Sequence, residues 1–125
     1  MKPKIVSLFC GAGGIDAGFH KAGFQTVIAT DLEKLFCETF KENFPKAHII
    51  NEDIRKINFL SLKRKFSNID IVVGGPPCPP FSKSRFYLKN KKRAMDDLDG
   101  KETIEHYLRA IKEIKPKVFF FENVH

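Results

Sequence analysis

Tryptophan is absent from the sequence, tyrosine occurs twice, and no apolar run approaches the roughly 20 residues that a bilayer-spanning helix needs. A membrane-embedded chain is therefore not expected. Cysteine is scarce as well: Cys10, Cys37 and Cys78 are odd in number and none is spaced C-x-x-C, which excludes a disulfide scaffold and a zinc ribbon. Nothing at Met1-Lys2-Pro3-Lys4 resembles a secretory leader, so a reducing, cytoplasmic setting is expected. The four histidines, His20, His48, His106 and His125, lack ligand spacing, and no metal site is expected. Internal repeats, low-complexity tracts and Pro/Gly/Ser-rich linkers are missing too. A length of 125 residues leaves room for one core.

Acidic residues fall short of basic ones, 15 against 22, for a formal net charge of +7. The imbalance is local. Residues 83–93 hold Lys83, Arg85, Lys89, Lys91, Lys92 and Arg93 with no acid and with Phe86 and Tyr87 between them. Such a run suits a phosphate backbone, although a solvated loop whose charges serve solubility reads the same way.

What the chain does contain is an alternation of short β-branched or aromatic runs with segments of helical period, the pattern of parallel strands and crossover helices. Strands are expected at 5–9, 26–29, 47–50, 69–73 and 118–121. Helices are expected from the glycine-rich turn to Gly23, at about 33–44 with an apolar stripe of Leu32, Phe36, Phe40 and Phe44, and at 59–65. A last helix carries Ile104, Tyr107, Leu108, Ile111 and Ile114 and ends before Pro116. A long basic loop separates the fourth strand from that helix and extends to about Gly100. The fold class is α/β, a doubly wound, mostly parallel sheet, in which ligands bind at the carboxyl ends of the strands.

Each such end carries unusual residues. After the first strand, Phe9-Cys10-Gly11-Ala12-Gly13-Gly14-Ile15-Asp16 lets backbone approach a ligand, but it is not the dinucleotide fingerprint, because Asp16 stands where a third glycine is required. An acid there suits a cationic or zwitterionic ligand better than a pyrophosphate. Asp31 ends the second strand twenty residues after Gly11, placed for ribose hydroxyls. Asp53 follows the third strand; alone it reads as a helix cap, and with Ile54 it suits an adenine amino group and ring. Together these point to an adenosine ligand without phosphates, S-adenosylmethionine.

After the fourth strand stands Gly74-Gly75-Pro76-Pro77-Cys78-Pro79-Pro80-Phe81-Ser82. Prolines restrict φ and the residue before them, so the Cys78 thiol is held in one direction, as a nucleophile requires. A buried thiol that only packs is the alternative, and it is the expected role of Cys10 and Cys37. The last strand delivers Glu122-Asn123-Val124 beside the Cys78 segment.

In order and spacing, Phe9-Cys10-Gly11-Ala12-Gly13-Gly14, Pro76-Pro77-Cys78 with Phe81-Ser82, and Glu122-Asn123-Val124 resemble the motifs of the cytosine-5 DNA methyltransferase family. The resemblance implies a class I methyltransferase (Rossmann-like) fold using S-adenosylmethionine. The cofactor would be lined by Phe9, Gly11, Ala12, Gly13, Gly14, Ile15 and Pro76, with Asp31 on the ribose, Asp53 and Ile54 on the adenine and Leu32 on the other ring face. It also implies Cys78 as nucleophile, Glu122 as its partner at the base, and a cytosine flipped out of DNA. Ser82, Lys83, Arg85, Lys89, Lys91, Lys92 and Arg93 are then expected on nucleic acid.

Two departures accompany the match: Pro79 replaces the glutamine common after the cysteine, and Asp97-Leu98-Asp99 lacks an expected arginine. The family's later segments have no counterpart, so the expectation is a partial catalytic domain over 1–125, truncated after the fifth strand and without a target-recognition domain. That describes a split subunit or truncated product of restriction-modification type, inactive until a second polypeptide supplies the rest. An RNA (tRNA) cytosine-5 methyltransferase and a non-catalytic remnant or binding module are the alternative readings.

Overall fold

The computed structural model describes residues 1–76 and 98–123, and of 98–101 the backbone alone. The expected strands and helices alternate, with one unexpected 3-10 turn: β1 (Lys4–Leu8), α1 (Gly14–Lys21), β2 (Gln25–Asp31), α2 (Lys34–Asn43), β3 (His48–Asn51), the 3-10 turn (Ile54–Lys56), α3 (Phe59–Lys65), β4 (Ile71–Gly74), α4 (Leu98–Ile114) and β5 (Val118–Phe121). The five strands form one parallel sheet in the order β3-β2-β1-β4-β5. The chain thus starts in the middle, winds outward to β3 and then restarts at β4 on the other side of β1. That reversal opens a crevice above the carboxyl ends of the central strands.

The central strands are apolar on both sides because helices cover both. Val6, Leu8, Ile28 and Val72 face one layer, where Phe59 of α3 and Tyr107, Ala110 and Ile114 of α4 complete the main core. Ile5, Ile71 and Val73 face the opposite layer and meet Ile15, Phe19 and Phe24. Phe40 of α2 and Phe44 just after it pack with Cys10, Ala29 and Ala47.

A register shift between β1 and β2, where Ile5 faces Thr26 but Val6 faces Ile28, brings Thr26 and Ala29 to the same side of the sheet. It also leaves the Thr26 amide outside the ladder, and the amide donates to His20 Nε2 at 3.0 Å. The Thr26 hydroxyl in turn donates to Asp16 Oδ1 at 2.5 Å, and Ser7 Oγ donates to Asp16 Oδ2 at 2.8 Å. Asp16 is wholly buried. The reading of Asp16 as an acid facing a cationic ligand is therefore overturned: the first turn of α1 points this side chain into the sheet, where two hydroxyls satisfy it. Burial raises its pKa above the ordinary value, with the hydroxyl donors opposing.

Other differences are local. β1 stops before Phe9, whose φ of 51° ends the strand. β2 runs on to Asp31, and β4 begins two residues later than expected. α4 starts at Leu98, ahead of Gly100, where the sequence pattern placed the end of the basic segment. Leu108 is exposed and Ala110 takes its place in the core, because the 3.6-residue period carries Leu108 off the buried face. Leu32 and Phe36, placed on the core stripe of α2 by the sequence pattern, are also exposed, and they stand beside the crevice.

Tyr107 ties α4 to the edge of the sheet. Its hydroxyl donates to the Phe120 carbonyl at 2.6 Å, its ring meets Phe121 edge-on, and a Cβ on Gly74 would come within 2.9 Å of it. At the other end of the sheet, Asp70 accepts from the Lys4 amide and from Lys117 Nζ, joining the starts of β1, β4 and β5.

Candidate cofactor and catalytic site

The crevice is a cleft of about 560 Å³ above β1, β2, β3 and β4, closed on one side by α4. Phe9 and Gly11 come from the end of β1, Asp31 and Leu32 from β2, Asp53 and Ile54 from the turn after β3, and Gly75 from β4. Glu102, Thr103 and His106 of α4 complete the wall.

Asp31 is the organising side chain. Its Oδ2 accepts from the Gly11 amide and its Oδ1 from the Glu33 amide, each at 2.9 Å, so one carboxylate fixes the loops after β1 and β2 relative to each other. Asn51 supports this arrangement by donating to the carbonyls of Asp31 and Leu32. Both Asp31 oxygens keep lone pairs beyond these two bonds, which leaves the carboxylate able to accept from a ligand hydroxyl.

Asp53 has two engagements. It caps the 3-10 turn by accepting from the Arg55 amide at 2.9 Å, the capping role that the sequence allows, and it pairs with the Arg55 guanidinium at 2.7 Å. Arg55 hydrogen bonds hold the Asp53 carboxyl down to about 2. The same guanidinium reaches Glu102 at 3.3 Å and so links the turn to α4.

Six of the expected cofactor residues, Phe9, Gly11, Asp31, Leu32, Asp53 and Ile54, are thus brought to one cleft. Ala12, Gly13, Gly14, Ile15 and Pro76 are not on its wall. The Ala12 carbonyl accepts from Asn43, Gly14 starts α1, Ile15 packs on the sheet and Pro76 is buried. Gly13 has φ 100° and lies so close to the Phe44 and Phe40 rings that a Cβ would overlap them. That glycine serves the approach of α1 to α2.

Wall residues not anticipated from the sequence are Thr30, Glu33, Phe36, Glu52, Arg55, Gly75, Glu102, Thr103 and His106. For Phe36 the signal misled, since its helical spacing matched a core position. For Glu102 and His106 the spacing of four residues marks one helix face, but nothing local says which face meets the cleft.

Glu122 follows β5, and its amide donates to the Gly74 carbonyl at 3.1 Å, extending the β4–β5 pairing by one step. A Cβ built on Gly75 would stand 2.7 Å from Glu122 Oε2. Glu122 is thereby set against the segment that leads to Cys78. Cys78 itself, with Ser82, Lys83, Arg85, Lys89, Lys91, Lys92 and Arg93, lies outside the described residues. Of the other thiols, Cys10 and Cys37 are buried, and burial followed by the Asp31 charge pushes both pKa values up, as suits packing rather than attack. Among the described residues no helix is long and apolar enough to cross a membrane, and no group of three or more His, Cys, Asp or Glu could hold a metal ion.

Comparison with known proteins shows the family and the fold. The chain is 41% identical over 128 residues to the type II methyltransferase M.AquIA of Picosynechococcus, covering 99% of this chain and 49% of that protein. It is 42% identical over 121 residues to the type II methyltransferase M.NgoPII of Neisseria gonorrhoeae, covering 97% of this chain and 33% of that protein. The chain therefore spans between a third and a half of these relatives. A prophage-encoded protein of E. coli described as a DNA modification methyltransferase superposes with a TM-score of 0.79 at 30% identity, over 98% of this chain and 32% of that one. The sheet is that of class I S-adenosylmethionine-dependent methyltransferases, with five of its strands present here. The model of the C-5 cytosine-specific DNA methylases matches residues 3–125, and the chain belongs to that family.

Proposed function

We propose that this chain supplies the cofactor cleft and the catalytic cysteine of a DNA cytosine-5 methyltransferase of the type II restriction-modification kind. The observation that carries the reading is the position of Gly75, which lines the cleft on one side and meets the Glu122 carboxylate on the other. Methyl donor and base-activating acid are then neighbours.

The cleft suits S-adenosylmethionine by its chemistry. Asp31, Glu33, Glu52, Asp53 and Glu102 line it, no lysine among the described residues does, and Arg55 pairs with Asp53 and Glu102. Such a wall favours hydroxyls, amines and a positive sulfonium over phosphates. In this reading Asp31 holds the ribose, Asp53 and Ile54 the adenine, and Phe9 and Leu32 the flanking apolar surface. Ala12, Gly13, Gly14, Ile15 and Pro76 shape the loops around these contacts. When bound, the cofactor supplies an electrophilic methyl group.

C5 of cytosine is too weak a nucleophile to take that methyl unaided. Cys78 thiolate adds to C6 while Glu122 hydrogen-bonds or protonates N3, so electron density moves to C5. After transfer, water accepts the C5 proton, the C–H electron pair re-forms the C5–C6 double bond as the C6–S bond breaks, Cys78 leaves as thiolate, and N3 returns any proton it took to Glu122. None of these atoms is reachable within a duplex, so the base is flipped out, with Ser82 and the basic residues between Lys83 and Arg93 holding the DNA backbone. The remaining part of the reaction machinery, including the reading of target sequence, is assigned to polypeptide beyond these 125 residues, because the chain spans only a third to a half of its relatives.

A DNA substrate carrying 5-fluorocytosine tests the reading, since fluorine blocks the final elimination. With the completing polypeptide present, a covalent adduct mapping to Cys78, and lost in Cys78→Ala, is expected. An undiminished adduct in that variant overturns it.

A further inference from the structure

Arg109 lies behind the cleft wall and makes an unusual set of contacts for a surface helix. Its Nη2 donates to the Ile54 carbonyl at 2.8 Å and its Nη1 to the Ile57 carbonyl at 2.9 Å, so one guanidinium holds both ends of the turn that carries Ile54. Its Nε donates to His106 Nδ1 at 3.0 Å, Glu113 pairs with it at 3.3 Å, and it stacks 4.6 Å above the buried Phe59 ring. Every one of these partners except Glu113 and Phe59 is a cleft residue or its near neighbour.

Two consequences follow from this geometry. First, the turn after β3 is pinned to α4 by a planar, two-pronged donor, a geometry that lysine cannot reproduce. Second, an imidazole that accepts at Nδ1 carries its proton, in the neutral form, on Nε2. Arg109 therefore fixes His106 as a hydrogen-bond donor through its remaining ring nitrogen, and His106 lines the cleft.

We infer that Arg109 is a positioning residue for base selectivity: by holding the Ile54 turn and the His106 tautomer it sets how the cleft discriminates adenine from other purines. This rests on the proposed adenine position at Asp53 and Ile54. An adenine offers an amino donor and a ring-nitrogen acceptor on the same edge, whereas hypoxanthine reverses that order with an oxygen acceptor and a ring N–H. Discrimination between the two depends on donors and acceptors held to within a few tenths of an ångström, which is what a rigid turn and a fixed tautomer provide.

The test measures, by calorimetry on the full chain, the ratio of dissociation constants for S-adenosylhomocysteine and its 6-deaminated inosine analogue. Wild type is expected to favour the adenosine compound, and Arg109→Lys to lose about tenfold of that ratio, the equivalent of about one misplaced hydrogen bond. A merely structural role would weaken both ligands alike and leave the ratio unchanged. His106→Ala, which leaves Arg109 and its carbonyl bonds in place, is expected to lose part of the ratio and keeps the question open to refutation if Arg109→Lys fails to fold. A selective wild type whose ratio survives in these variants overturns the inference alone. A wild type that binds neither compound overturns the cofactor reading and this inference with it.

Discussion

Glu122 and Gly75 are in contact across the ends of β5 and β4, with Glu122 Oε2 only 2.7 Å from where a Gly75 side chain would begin. The Glu122 backbone is held by the Gly74 carbonyl, so a Cβ at Gly75 has to displace the carboxylate. Gly75→Ala is therefore expected to lower the rate of methyl transfer by the completed enzyme by about a hundredfold or more, the scale of misplacing a catalytic proton donor. Stability should change little, because the displaced atom is the far end of a flexible side chain. A melting temperature close to wild type with lost activity supports the assignment; retained activity removes Glu122 from the catalytic site.

Asp31 accepts from two backbone amides and faces the cleft. Asp31→Ala removes the acceptor proposed for the ribose and loosens the loops after β1 and β2. Affinity for S-adenosylmethionine is expected to fall by about tenfold to a hundredfold, the usual worth of a hydrogen bond to a charged group. Equal affinities by calorimetry would exclude the ribose assignment.

Asp16 makes stability depend on pH in a defined direction. Its folded-state pKa is raised above the ordinary 3.8, so the folded chain binds the proton more tightly than the unfolded one. Its contribution is fully present below pH 3.8 and is lost as pH rises through the higher folded value. Asp53 and Asp70, whose values are lowered, act in the opposite sense and below 3.8, where their contributions are lost as pH falls. Asp16→Asn keeps the hydrogen-bonding shape and should remove the decline above pH 3.8, which thermal melts at a series of pH values would show as a variant-minus-wild-type difference that grows with pH. Parallel curves would contradict it. Asp16→Ala, which leaves the Ser7 and Thr26 hydroxyls without their acceptor, should cost about 2–3 kcal/mol.

Among the described residues β5 is an edge strand, on which Val118, Phe119, Phe120 and Phe121 are all exposed, between 41% and 58%. Four consecutive large apolar residues on an open edge invite pairing with another strand. The 125-residue chain alone is expected to be inactive and to gain activity when a polypeptide carrying the remaining family segments is added. Transfer of labelled methyl groups to DNA by the purified chain without such a partner would refute the requirement.

The alternation of elements, the parallel sheet and the placing of Asp31, Asp53 and Glu122 at strand ends were legible in the sequence, because strand and helix periods differ and because glycine, proline and capping residues punctuate them. α3 falls on the expected residues 59–65 although its period is weak, and the structure adds the Asn58 side chain as its cap. Tertiary structure alone decided what the periods leave open. Asp16 and Asp31 are both acids near the glycine-rich turn, yet one is sealed under α1 and the other faces the cleft, a difference set by the direction of the first helical turn and the register shift beside Thr26. Phe36 and Phe40 share a helical stripe, yet Phe40 packs on Ala29 of the sheet whereas Phe36, one turn nearer the carboxyl end of β2, lines the cleft and stays exposed. The bonds of Arg109 to the Ile54 carbonyl and of Arg55 to Glu102 carry no sequence signal, because they join segments about fifty residues apart that meet only when α4 packs beside the turn after β3. Local propensity writes the elements; which polar side chain meets which loop is settled only when the layers pack.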